Sequence, residues 1–178
     1  GISSDNGGNF TNYSYETDVP KFEWNETSGD LWFNAGEKDG INRFDGEKMN
    51  YLIFPKPKTN DPNNSYGVTE ISEGADGKVW IATYNALFMY DGKNTKSFDH
   101  EKLELKENEN LHIRSVLADS KGRIWIGNNG IGVLLMENEK AINFSDKNGL
   151  INTFSSKNGN LSPAGTLEHV FVIEEDSE

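Results

Sequence analysis

The chain has 178 residues, enough for one domain with its own core, and no cysteine, which excludes disulfides, thiol catalysis and cysteine-ligated metals. It carries 17 Lys and Arg against 29 Asp and Glu, a net charge of −12 that repels phosphate backbones and argues against a nucleic-acid partner. No run of 18 apolar residues suggests a membrane span, and no signal-peptide pattern is present.

Short apolar segments broken by Gly, Asn, Ser and Asp read as strands and turns, so the predicted class is all-β. In chain order, "GGNFTNY" (7–13) reads as an outer strand that follows a hairpin turn. "GDLWFNAGEKDGINRFDGEKMNYL" begins at Gly29, "GKVWIATYNALFMYDGKNTKSF" at Gly77 and "GRIWIGNNGIGVLLMENEKAINF" at Gly122. Between the last two, "EKLELKENENLH" (101–112) spreads its charges over every helical face and reads as a solvated loop. "SSKNGNLSPAG" (155–165) is a polar loop between units, and "EHVFVIEEDSE" (168–178) resembles the first strand of another unit, with Val170 and Ile173 in the places of Ile113 and Val116.

The three long segments align as a repeat. Each has Gly, two residues, then Trp, at Trp32, Trp80 and Trp125; the spacings of 48 and 45 residues are those of four-stranded propeller blades. Each part has a mechanical reason. A short apolar strand (Val68 and Ile71, or Ile113 and Val116) leads into a tight turn ending in Gly, which supplies positive φ. The run after it, "VWIA" or "IWIG", is continuously apolar, as a strand buried on both faces must be. A polar loop and a third strand follow. Asp45-Gly46 and Asp91-Gly92 then predict type I′ hairpins to an outer strand, whereas Glu137-Asn138 in the third copy is a weaker hairpin signal. The alternative, a β-sandwich with coincidental Trp spacing, fits three aligned copies of turn, Trp and loop less well.

The expectation is therefore one β-propeller domain over 1–178, built of four-stranded antiparallel blades. About three blades are complete (14–54, 66–99 and 111–145), with partial blades at both ends (strands 7–13 and 167–178). Propellers need four or more blades to close, and raw sheet edges pair with other chains. A piece of a longer propeller is the favoured reading, consistent with a chain that opens on Gly1 rather than Met; a homo-oligomer that completes the partial blades is the alternative.

At "ADSKGRIWIGNNGIG", "GADGKVWIATYNALFMYDG" and "SGDLWFNAGEKDGINRFDG" the chain resembles the two-component regulator propeller repeat family, and "KNGL" (147–150) is similar to that family's segment between blades. The resemblance implies an extracytoplasmic bacterial protein, periplasmic or extracellular, with a lipid anchor in its parent as an alternative. It also implies a sensing role like that of the periplasmic region of hybrid sensor kinases, often for glycan fragments. These 178 residues are far shorter than that pattern and are expected to hold neither its transmembrane segment nor its kinase core and receiver domain.

Propellers bind at one mouth of the central channel. Loops between second and third strands would bring Asn34, Lys38, Asp39, Tyr84, Asn85, Asn128 and Asn129 there, and the entries to the first strands would bring Tyr66, His112, Arg114 and His169. These side chains suit sugar hydroxyls or carboxylates, although Asn and Asp are also ordinary turn formers. His112 and His169 occupy equivalent places, but spacing alone is weak evidence for a metal pair, and "GADGK" and "DSKG" lack the ligand spacing of a calcium loop. No cofactor is implied, and no catalytic signature such as G-x-S-x-G occurs.

Three functions are weighed. The preferred one is a non-catalytic extracytoplasmic module that binds or senses a small polar ligand such as a glycan fragment, or a protein. The second is a lyase or hydrolase acting on a polysaccharide or cyclic substrate. The third is a protein-interaction scaffold. A compact His, Arg and Tyr cluster with a strongly shifted pKa favours the second, and a flat apolar patch on a blade face favours the third.

Overall fold

In the computed structural model, residues 2–5, 7, 10–13, 30–33, 40–55, 67–107, 109, 111–144 and 170–176 are described. Among them the regular elements are antiparallel strands. The first two, β1 (Ile2–Asp5) and β2 (Phe10–Tyr13), pair as a hairpin. Then come β3 (Leu31–Phe33), β4 (Gly40–Phe44) and β5 (Met49–Ile53), which form blade I in the order β3-β4-β5. Blade II is β6 (Val68–Glu73), β7 (Val79–Thr83), β8 (Leu87–Tyr90) and β9 (Thr95–Phe98). Blade III is β10 (Ile113–Ala118), β11 (Ile124–Asn128), β12 (Gly132–Glu137) and β13 (Lys140–Asn143). Each blade is a meander in sequence order, the arrangement of a propeller. The strand expected to open blade I, in 14–29, lies outside the described residues, as does "KNGL".

The repeat reading of the Trp residues carries into the register. Trp32 sits opposite Arg43, Trp80 opposite Met89 and Trp125 opposite Leu135, each on the strand that precedes the polar loop. Side chains alternate across β7, because successive Cβ atoms point to opposite faces. Val79 and Ile81 join Ile41, Phe54, Phe88 and Tyr90 in the core between blades I and II. Trp80 and Ala82 join Leu87, Phe98, Ile113, Ile124, Ile126 and Leu134 in the core between blades II and III. All five residues of β7 are buried, which is why that run is apolar without alternation.

The hairpins differ from expectation. At Asp45-Gly46 and Asp91-Gly92 the central residues are Gly46-Glu47 and Gly92-Lys93, and only the glycines have positive φ (94° and 95°). A type I′ turn needs positive φ at both central residues; these have the pattern with Gly first, type II′. Asp45 Oδ1 accepts the Glu47 and Lys48 amides, and Asp91 Oδ1 accepts those of Lys93 and Asn94, so the aspartates brace the turns from just outside. Type I′ dihedrals occur in blade III, at Asn138 (φ 51°) and Glu139 (φ 67°), between the paired Glu137 and Lys140.

Both complete inner strands are bulged at the same repeat position, between Val68 and Glu70 in β6 and between Ile113 and Ser115 in β10. Side chains of β6 serve the open edge of β10: Glu70 Oε2 accepts the Val116 amide at 2.9 Å and Ser72 Oγ accepts the Ala118 amide at 2.9 Å. Residues 170–176 lie on blade III in the same manner, without a strand ladder of their own. The Val170 amide donates to Asn128 O, and Glu175 accepts from the Ser120 amide and hydroxyl.

Candidate functional site

The site forms where blades II and III meet, at the end of the blades that carries the loops from second to third strand. Asn128 closes β11 and is fully buried. Its Oδ1 accepts the His112 amide at 2.6 Å, its Nδ2 donates to Asn129 O, and the Asn129 amide donates to His112 O at 2.9 Å. The backbone of His112 is thereby clamped before β10 begins. Asn128 is thus a brace with no surface to offer a ligand.

Around that anchor the side chains converge. Tyr84 opens the loop after β7, and its carbonyl accepts the Ile113 amide. Its ring lies against Gly67, where a Cβ would come within 3.2 Å of it. The Tyr84 and His112 rings are 5.3 Å apart at 53°. Asn129 Nδ2 lies 3.3 Å from His112 Nδ1; an amide N–H donating there makes Nδ1 the acceptor and leaves the ring proton on Nε2. Burial, helped by the charge of Arg114, lowers the pKa of His112 below 6.5 and holds the ring neutral.

Arg114 is the bulge residue of β10, and bulges re-aim side chains. Its Nη1 donates to the Tyr84 hydroxyl at 3.2 Å, and its guanidinium carbon lies 4.9 Å from the Tyr84 ring centre and 5.6 Å from that of Phe171. The cation is sandwiched between two aromatic rings. Phe171 was missed in the sequence. Yet superposing Val170 on Ile113 sets Phe171 on Arg114, and Arg114 on Thr69, so one repeat position supplies Thr, Arg and Phe in successive units. Asn85 is half-buried in the loop beside Tyr84. Asn34, Lys38, Asp39, Tyr66 and His169 lie outside the described residues, and so does any His112–His169 pair. Among the described residues no group of three or more His, Asp or Glu could hold a metal ion.

A second cluster explains the turn that leads to Trp125 in blade III. Asp119 is 2% exposed, and its carboxylate accepts the Lys121 and Arg123 amides, the Arg123 Nε–H at 2.6 Å and the Trp125 indole N–H at 2.9 Å. Asp, two residues, Gly, two residues, Trp is therefore the spacing that lets one carboxylate close its own turn and orient the Trp. Burial pushes Asp119 up, but these donors outweigh it and bring the pKa down to about 2. Trp125, Arg123, Leu117 and Ile173 border an open groove of about 230 Å³ between blade III and residues 173–175.

Residues 107–130, which span this turn, Trp125 and the His112–Arg114 segment, match the two component regulator propeller family. The first half of blade III is thus similar to a regulator propeller repeat. Its relatives agree with that. A histidine kinase of Formosa agariphila, "Histidine kinase P4", is 29% identical over 75 residues, 39% of this chain and 6% of that protein. Among solved structures, virginiamycin B lyase from Staphylococcus aureus superposes with a TM-score of 0.52 at 16% identity, covering 78% of this chain and 45% of that one. A streptogramin B lyase does so at 0.51 and 19% identity, again covering 78% and 45%. At these identities the lyases share the propeller fold with the regulator repeat. The chain spans less than half the length of these structures and a small part of the kinase.

Proposed function

We propose that the chain is part of the ligand-binding propeller of a two-component-type sensor, working outside the cytoplasm and taking up a small polar ligand such as a glycan fragment. The observation that carries this reading is the convergence of Tyr84, His112, Arg114 and Asn129 from two blades. Aromatic faces beside neutral and charged donors suit a polyhydroxylated ring. The regulator propeller repeat and the kinase relative support the sensor class. Titration calorimetry against a panel of oligosaccharide fragments is the test. At least one fragment binds, and Asn129→Ala weakens it about tenfold, the effect of losing one hydrogen bond to a polar ligand. If no fragment binds at millimolar concentration, the reading fails.

One observation favours catalysis as a second reading. A neutral His112 beside a Tyr84 hydroxyl held by Arg114 has the parts of an acid-base pair. Mass spectrometry of each fragment after incubation separates the two: an unchanged mass supports binding alone, and a cleaved or unsaturated product supports a lyase or hydrolase.

A further inference from the structure

We propose that Arg114 is a carboxylate-reading subsite, so that the ligand is a sugar acid of the uronate type, with its carboxylate on the guanidinium and its ring against Phe171. The inference rests on the reading above and names the class of ligand. Three arginines occur in the chain. Arg43 is buried on Asp30 and Arg123 is paired with Asp119. Arg114 has no carboxylate partner among the described residues, although the chain carries 29 Asp and Glu. Among the described residues its charge is met by a tyrosine hydroxyl and two ring faces, and its Nε–H is buried without an acceptor there. With Nη1 turned to Tyr84 and Nε enclosed, Nη2 is the donor left to face an incoming anion. A charge-assisted hydrogen bond from Nη2 to a carboxylate oxygen is the contact this arrangement offers.

The surroundings select more than charge. Phe171 is 59% exposed, a large apolar face standing beside a cation at the surface. A sugar ring presents C–H groups on one face and hydroxyls at its rim, so it can cover Phe171 while His112 and Asn129 meet the rim. Further along, burial raises the pKa of Glu70 on β6, helped by the nearby charge of Glu174 in the 170–176 segment. A ligand with a single anionic end is therefore favoured with that end at Arg114, and a polyanion is disfavoured.

The experiment compares galactose di- and trisaccharides that end in one galacturonate unit with the corresponding all-galactose di- and trisaccharides by calorimetry, on the wild-type chain and on Arg114→Gln and Phe171→Ala. The acids are expected to bind at least about tenfold more tightly than the neutral sugars, with the preference abolished in Arg114→Gln. Phe171→Ala weakens acid and neutral sugars alike. Neutral sugars that bind as well as the acids overturn the carboxylate subsite and leave the sugar-binding reading standing. Failure of both sets, with other fragments also silent, overturns both. Should Arg114→Gln not fold, salt dependence on the wild type decides: affinity for the acids falls with added sodium chloride if a charge pair is formed, and a flat response overturns the subsite.

Discussion

A single buried carboxylate does much of the ordering in blade III. Removing it in Asp119→Ala strands the Trp125 indole N–H and two turn amides, and we expect a loss of about 2 to 4 kcal/mol by chemical denaturation. Protonation acts in the same direction. The folded pKa of about 2 lies below the ordinary 3.8, so the stabilisation is full above 3.8 and is lost as the pH falls toward 2, about 2 kcal/mol in all. Acid titration of Asp119→Asn should lack that step. His112 follows the same rule at a higher pH. Its folded pKa is below 6.5, so its contribution is present above 6.5 and declines on acidification. An NMR titration of the ring should give a midpoint below 6.5, and Arg114→Gln should move it upward by removing the neighbouring charge while burial still holds it down.

Hairpins show how far local chemistry can be read before tertiary context takes over. Glu139 adopts φ 67° without being glycine, a conformation that costs an L-residue about 1 to 2 kcal/mol. Glu139→Gly creates Asn-Gly, the pair that type I′ turns favour, and should raise stability by about 1 kcal/mol despite losing the exposed ion pair with Lys96. A lower denaturation midpoint would contradict it. The turn positions themselves were legible at Asp-Gly, but the turn type was not, because Asp45 and Asp91 spend their side chains on the amides beyond the glycine. The Trp repeat and the doubly buried "VWIA" run were legible because burial on two faces leaves no room for alternation. Tyr84, His112, Arg114 and Asn129 were legible as loop and strand-entry residues. Phe171 was not, since its role depends on a contact with Arg114 across units that no local pattern encodes. Nor was Asn128 legible as a brace: an Asn in a loop looks the same whether its amide faces solvent or the His112 backbone. Element placement is testable at Gly127, where a Cβ would stand 2.1 Å from Ser115 Oγ and 2.9 Å from Val170 Cγ1. Gly127→Ala should push residues 170–176 off blade III, seen as faster hydrogen exchange at the Val170 amide.

Blades that touch only their neighbours need not share one stability. The core between blades I and II contains Ile81, the core between II and III contains Ile126, and both residues are fully buried. Truncating either to Ala should cost about 2 to 5 kcal/mol. The costs should be felt in different places, since repeat architectures sum unit and interface terms. In Ile126→Ala, hydrogen exchange should quicken in β10 and β11 well before β4, and in Ile81→Ala the order should favour β4 and β7. Blade II takes part in both cores, with β7 and β8 each sending alternate side chains to either side, so its amides should be the slowest in the wild type. The proposed ligand site lies at the II–III junction, where Tyr84 comes from one blade and His112 and Arg114 from the next. Ile126→Ala should therefore weaken ligand binding along with stability, while Ile81→Ala should lower stability and leave affinity at a temperature well below its midpoint nearly unchanged. Equal acceleration of all amides in both variants would instead mean that the blades open as one cooperative body.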